Sequence, residues 1–294
     1  MKISKFSFLF LLGALIVFPS CRNGDCVETL WYEDSDGDGL GNPNVSQSAC
    51  EQPTGFVSDN SDPDDSGSMA EAGATPTAAF DEFDTQNVTI SFNGNSVTLE
   101  TNGIPNHPSY YFATTNSLYN GDDECMTSSM PTPHTIDDET VGFSITVDTN
   151  PSFASSSTET GLGAIGICTS GAPIYNEQEG NNRSLDEMLA NTLDCGGGHG
   201  GPTGYHYHAE ARSSDLGLSF DDESLVGIMI DGFLLYGRKC SASGSYPSDL
   251  DASGGHTSET HHSNGESFYH YHIINDFLVA DYIALFSVDL QGNI

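Results

Sequence analysis

Apolar and polar residues alternate along several short stretches of this chain. That is the period of a β-strand, whose side chains point to opposite faces in turn. Val88-Thr-Ile-Ser-Phe92 and Ser96-Val-Thr-Leu-Glu100 are two such stretches, and Asn93-Gly94-Asn95 between them predicts a hairpin with a tight turn. Further strands are expected at 142–147, 163–167, 225–231, 233–236 and 282–288, with Asp231-Gly232 as a turn between two apolar runs. Helical spacing occurs at 184–193, where Ser184 is placed to cap the first turn and Glu187 to complete a capping box. The pattern predicts a mainly β, sandwich-like domain with one short helix.

Two of the alternating stretches carry unusual chemistry. One runs Gly204-Tyr205-His206-Tyr207-His208 after the turn Cys195-Gly-Gly-Gly-His199. The other runs Tyr269-His270-Tyr271-His272 after Asp249-Leu-Asp251 and Gly254-Gly255-His256. On a strand the two histidines of each tetrapeptide share one face, and the tyrosines share the other, where they are expected to pack in a core. His199, His206 and His208 are expected to form one triad and His256, His270 and His272 another, as two sites or as one shared dinuclear site. Three neutral imidazoles suit zinc, copper or iron, with zinc and copper as the leading candidates. The alternative is that the imidazoles bond the Gly-rich turns and hold two halves of the domain together. Asp231 is a candidate partner for orienting a ring N–H. His261 and His262 lie in the insert 257–267 and are expected to be exposed, while His107 and His134 read as loop residues without a role. The repetition itself implies an internal duplication.

These motifs resemble the YHYH domain family over about residues 81–294. Asn102-Gly-Ile-Pro-Asn-His107-Pro108 resembles its opening motif, and Val226-Gly-Ile-Met-Ile-Asp231-Gly-Phe-Leu-Leu-Tyr236-Gly237 resembles its central hairpin. Where the family leads one to expect a cysteine before the second Gly-His turn, this chain has Ser253. The resemblance implies a secreted or surface protein and leaves the activity open.

The N-terminal end reads as a targeting segment. Lys2 and Lys5 precede an apolar run over 6–18, and Cys21 follows Ser20. This arrangement resembles a bacterial lipoprotein signal, with Cys21 as the lipid anchor to a membrane. The expected place is the cell envelope, either the outer membrane or the cell surface, or secretion if Cys21 is left unmodified. The expected divisions are a signal at 1–20, an anchor segment at 21–28, an acidic repeat at 29–66, a linker at 67–80 and the main domain at 81–294. Setting Cys21 aside leaves six cysteines, enough for three disulfides in an oxidising compartment, with Cys26–Cys50 the first pairing expected.

The acidic repeat holds nine carboxylates and no Lys or Arg. Asp34, Asp36 and Asp38 alternate before Gly39, and Asp59, Asp62 and Asp64 supply further oxygens. Calcium needs six to eight such ligands, and an EF-hand is ruled out because Val45 stands where its last carboxylate belongs. The run resembles a thrombospondin type 3 repeat, and more closely a related metal-binding repeat of a methanotroph surface protein. That resemblance implies a calcium-stiffened spacer. With a net charge of −35, nothing in the chain could neutralise phosphates, so nucleic acid is excluded as a partner. An extracellular protein or glycan is the partner class that remains. Neither a G-x-S-x-G elbow nor an H-E-x-x-H helix is present, so metal binding leads and metal-dependent catalysis is the alternative.

Overall fold

The structure is a computed structural model. It describes residues 28–34, 41–58, 60, 72–126, 136, 141–181, 183–186, 191–213, 216, 221–274, 277–279 and 282–294. The chain divides into two compact units, Met1–Gly67 and Ser68–Ile294.

In the first unit, β1 (Thr29–Glu33), β2 (Ser46–Ala49) and β3 (Phe56–Val57) form an antiparallel sheet in the order β2-β1-β3. The Trp31 indole N–H donates to the Ala49 carbonyl at 3.2 Å, and the Asp34 N–H donates to the Gly55 carbonyl at 3.0 Å. Asp34 thus begins its acidic loop from a fixed strand end. Asp36, Asp38, Asp59, Asp62 and Asp64 lie outside the described residues, as do Cys21 and the signal. Cys50 is disulfide-bonded, and Cys26, its expected partner, also lies outside them.

The second unit opens with a 3-10 helix at Thr77–Glu82. Next come β4 (Val88–Asn93), β5 (Ser96–Thr101) and β6 (Phe143–Asp148), an antiparallel sheet in that order. Then follow β7 (Phe153–Thr158), β8 (Gly166–Cys168), β9 (Pro173–Ile174), β10 (Gln178–Glu179), β11 (Arg183–Ser184), β12 (Gly198–Gly201) and β13 (Gly204–Tyr207). The last are β14 (Leu225–Met229), β15 (Leu234–Tyr236), β16 (Gly255–Ser258), β17 (Phe268–His272), β18 (Phe277–Val279), β19 (Tyr282–Ile283) and β20 (Leu290–Gly292). Eight of them build one sheet in the order β12-β13-β9-β8-β14-β15-β17-β16.

That sheet is covered on both faces, which explains why β8, β14 and β15 read as near-continuous apolar runs. One face packs Ile167, Ile228, Leu234 and Tyr236 against Val97, Leu99, Ile145 and Val147 of the three-stranded sheet, giving the sandwich. The other face packs Tyr205, Tyr207, Tyr269 and Tyr271 with Phe112, Ile174, Phe233 and Leu235. The tyrosines are core residues, as their alternation requires.

The large sheet is two copies of one four-stranded unit. In each, an antiparallel hairpin (β8-β9, β14-β15) is followed by a parallel pairing (β9-β13, β15-β17) and a second antiparallel pairing (β13-β12, β17-β16). Gly166, Ser170, Gly171, Ile174 and Tyr175 stand 61 positions before Gly227, Asp231, Gly232, Leu235 and Tyr236. The two copies meet through antiparallel β8 and β14, with Ile167 opposite Ile228, so a local two-fold runs through that pair. Gly171 and Gly232 both hold positive φ, 110° and 91°, at the tight turn of each hairpin. The duplication therefore extends well upstream of the histidine motifs.

Several expectations change. Ser184, expected to cap a helix, pairs with Gln178 in β10-β11; the short helix among the described residues is at Thr77–Glu82, and 187–190 lie outside them. The strand expected over 282–288 is regular only at Tyr282–Ile283. Part of the expected linker is folded, since Ala72, Ala79 and Phe80 are buried in the cores. Three disulfides do not form, because Cys168 and Cys240 are free and buried. Cys125 and Cys195 are joined.

Candidate metal centres

Each histidine triad assembles on the sheet face opposite the tyrosines. In the first, His199 on β12 stands directly across from His206 on β13, and His208 follows two residues later on the same face. In the second, His256 on β16 stands across from His270 on β17, with His272 two residues on. Ring centroids are 4.8, 5.2 and 4.9 Å apart in the first triad, and 5.1, 5.1 and 4.9 Å apart in the second. The two centres, one between β12 and β13 and the other between β17 and β16, lie six strand positions apart in the sheet, roughly 29 Å at ~4.8 Å per strand. They are two sites and not one shared dinuclear centre.

The turns that deliver His199 and His256 are each held by a carboxylate, buried in the first and exposed in the second. Asp194 accepts from the Gly196 N–H at 2.9 Å, the Gly198 N–H at 3.2 Å and the Tyr205 hydroxyl at 2.8 Å. Asp251 accepts from the Ser253 N–H at 2.9 Å, the Gly255 N–H at 2.9 Å and the Tyr269 hydroxyl at 2.7 Å. Glycine is needed at 198 and 255, because a methyl there would overlap the Tyr205 or Tyr269 ring on its way to the carboxylate. This register sets Cys195 against Ala252, one residue earlier than Ser253. Four of these imidazoles bond backbone carbonyls, as the glue alternative expects, but each does so within its own half of the sheet and does not tie the halves together.

Each ring uses one nitrogen outward. His208 Nδ1 donates to the Asn176 carbonyl at 2.6 Å and His272 Nδ1 to the Gly237 carbonyl at 2.6 Å. His206 Nδ1 faces the Gly204 carbonyl at 3.1 Å and His270 Nδ1 the Phe268 carbonyl at 3.0 Å. A carbonyl can only accept, so these four rings carry their proton on Nδ1 and leave a lone pair on Nε2. His199 Nδ1 lies 2.8 Å from the Thr192 hydroxyl, and His256 Nδ1 lies 3.0 Å from the Asp249 carboxylate. Such outward bonds fix the orientation of metal-ligating imidazoles.

The inward nitrogens converge. In the second triad His272 Nε2 is 3.1 Å from His270 Nε2 and 3.2 Å from His256 Nε2. Lone pairs aimed at one another at that distance repel unless a cation lies among them. Zinc-type bonds of ~2.0–2.1 Å in a tetrahedron place their nitrogens about 3.3 Å apart, so the cradle has the right size. In the first triad His199 Nε2 lies 2.7 Å and His208 Nε2 3.3 Å from Glu179 Oε1. Those approaches lack hydrogen-bond alignment, and all three atoms are buried without a hydrogen-bond partner.

Charge follows the same logic. Burial, helped by His199 and His208, pushes His206 well below the usual imidazole range. Burial, then neighbouring imidazoles, lowers His270 to about 3; His272 falls to about 4, chiefly through burial. Neutral rings are the form that binds metal. Burial pushes the Glu179 carboxyl up, but the two imidazoles facing it pull harder and keep it ionised far below the usual carboxylate range.

Glu179 and Cys240 are the residues that sequence reasoning missed. Glu179 groups with His199, His206 and His208, and Cys240 groups with His256 and His272, each set with ligand atoms within 4.8 Å. Both sit far from the histidine motifs and reach them through strand pairing. The legible signal was the longer repeat, Ile165-Gly-Ile-Cys-Thr-Ser-Gly171 against Val226-Gly-Ile-Met-Ile-Asp-Gly232. Asp231 orients no imidazole: it accepts from the Tyr271 hydroxyl at 2.6 Å and the Gly292 N–H at 3.0 Å. His107 is buried and bonds the Tyr207 hydroxyl at 2.8 Å, so it belongs to the core; His134 lies outside the described residues. His261 is exposed, as expected, while His262 is buried between Glu82 and the Tyr236 hydroxyl, each at 2.9 Å. Beside the first centre opens a pocket of about 570 Å³, mostly apolar, lined among others by Leu162, Tyr175, Glu179, His199, Thr203 and His206.

Residues 144–253 match the family described as YHYH protein. The matched stretch contains Glu179, the whole first triad and Cys240, and ends three residues before His256. No curated protein and no solved structure matches the chain.

Proposed function

We propose that this is an exported, envelope-anchored metal-binding protein whose duplicated YHYH unit holds a transition-metal ion in each half. One observation carries the reading. At both centres the Nδ1 sides are tied outward, while the Nε2 atoms, and Glu179 Oε1 in the first, converge in a buried space. In the first centre, three imidazoles and one carboxylate suit zinc, copper or iron. Calcium is proposed for the acidic repeat through Asp34, Asp36, Asp38, Asp59, Asp62 and Asp64, a membrane anchor for Cys21, and an extracellular protein or glycan as partner.

A second reading, metal-dependent catalysis, rests on the pocket beside Glu179, which could admit a small, largely apolar molecule next to the ligands. The deciding experiment is metal content by mass spectrometry on the whole purified chain, with a His206→Ala/His270→Ala variant alongside. Stoichiometric transition metal in the parent, absent from a variant with the same circular dichroism, is the expected result. A parent that stays metal-free after reconstitution with zinc, copper and iron overturns the proposal.

A further inference from the structure

The two centres are built alike but do not end in the same ligand. Glu179 stands three residues after Asn176, whose carbonyl holds His208; Cys240 stands three residues after Gly237, whose carbonyl holds His272. Glu179 and Cys240 are therefore the same position of the repeat, 61 residues apart like the hairpins that precede them. The partner of the turn histidine changes too, from the Thr192 hydroxyl to the Asp249 carboxylate.

We infer that the duplicated halves are specialised for different metals. The second centre, resting on the metal-binding reading above, is a histidine-and-thiolate site, with Cys240, His256 and His272 as the grouped ligands and His270 beside them, for a thiophilic ion, zinc or copper(I). Thiolate selects such ions, whereas carboxylate with imidazole favours harder divalent ones. Cys240 is 2 % exposed and outside any disulfide, and its Sγ lies 3.3 Å from the Ser258 hydroxyl. That hydroxyl lies in turn 3.1 Å from His256 Nε2, so the sulfur borders the nitrogen cradle. On binding, the Cys240 S–H bond breaks, its proton leaves to solvent and the sulfur lone pair goes to the ion. The Asp249 carboxylate behind His256 makes that ring a stronger donor, which suits a tightly held ion.

Cobalt(II) distinguishes the halves, because only a thiolate ligand gives it an intense sulfur-to-metal charge-transfer band in the near ultraviolet. The full-length, metal-stripped chain would be titrated with cobalt(II) under anaerobic conditions. The expected result is two bound equivalents and one thiolate band. Cys240→Ser should lose the band and keep the first equivalent; Glu179→Gln should keep the band. Cys168, the other free thiol among the described residues, lies within the core in β8, and a band arising from it would survive Cys240→Ser. Cobalt bound without a thiolate band, or a band unchanged by Cys240→Ser, overturns the specialisation while metal binding stands. No cobalt bound at all overturns both readings. Circular dichroism of each variant, and retention of the first equivalent, separate ligand loss from misfolding.

Discussion

Asp231 shows how one side chain was readable in kind but not in role. Its Asp-Gly turn was legible, and the turn is there, but the carboxylate faces the core, where it gathers the Tyr271 hydroxyl and the Gly292 N–H. Burial, opposed by those bonds, raises its pKa from 3.8 to about 6. Between those values the folded state holds a proton that the unfolded state has lost, so stability falls as pH rises from about 4 to about 6. The loss should be on the order of 3 kcal/mol at 1.36 kcal/mol per pH unit. Denaturant melts at several pH values should show this slope in the parent and its absence in Asp231→Asn. Asp194 makes the complementary case. Removing it as Asp194→Ala strands two N–H groups and the Tyr205 hydroxyl in the core, and should cost about 3 kcal/mol or more by chemical denaturation. The six histidines were legible because alternation alone puts them on one face. Glu179 and Cys240 were legible only through the longer repeat, since no local period connects β10 or the turn after β15 to the strands that carry the histidines.

At the scale of elements, alternation found most strands of the sandwich, and the β4-β5 hairpin closes where Asn93-Gly94-Asn95 put it. It failed at Ser184, where a good capping pattern lost to strand pairing with Gln178. Tertiary pairing overrides local propensity when both are short. The duplicated Gly-rich turns differ in one tether. Cys195, bonded to Cys125, follows Asp194 in the first turn, while Ala252 fills the same place in the second. Closing a loop of this length is worth about 4 kcal/mol in the chain-entropy view. Mild reduction should therefore lower the melting temperature and weaken the first centre while leaving the second intact. Metal titration of the Cys125→Ser/Cys195→Ser variant checks this, and equal weakening at both centres would contradict it. Gly232→Ala, at φ 91°, should destabilise the β14-β15 hairpin by about 1–2 kcal/mol in a thermal melt, because alanine resists that backbone conformation.

On the scale of the whole molecule, one four-stranded unit used twice about the Ile167–Ile228 axis yields two buried nitrogen cradles at separate places in a single sheet. Ions that bind only the folded chain stabilise it by mass action, about 2.7 kcal/mol each at a hundredfold excess over the dissociation constant. Chelation should lower the melting temperature of the parent more than that of the His206→Ala/His270→Ala variant. The measurement that tests the central claim most directly is an anomalous-scattering map from crystals of the metal-loaded chain. Two peaks are predicted, one among His199, His206, His208 and Glu179 and one among His256, His272 and Cys240 beside His270, roughly 29 Å apart by the strand spacing. Crystals of reconstituted protein with no peak at either cradle, and imidazoles instead bridged by water, would contradict it.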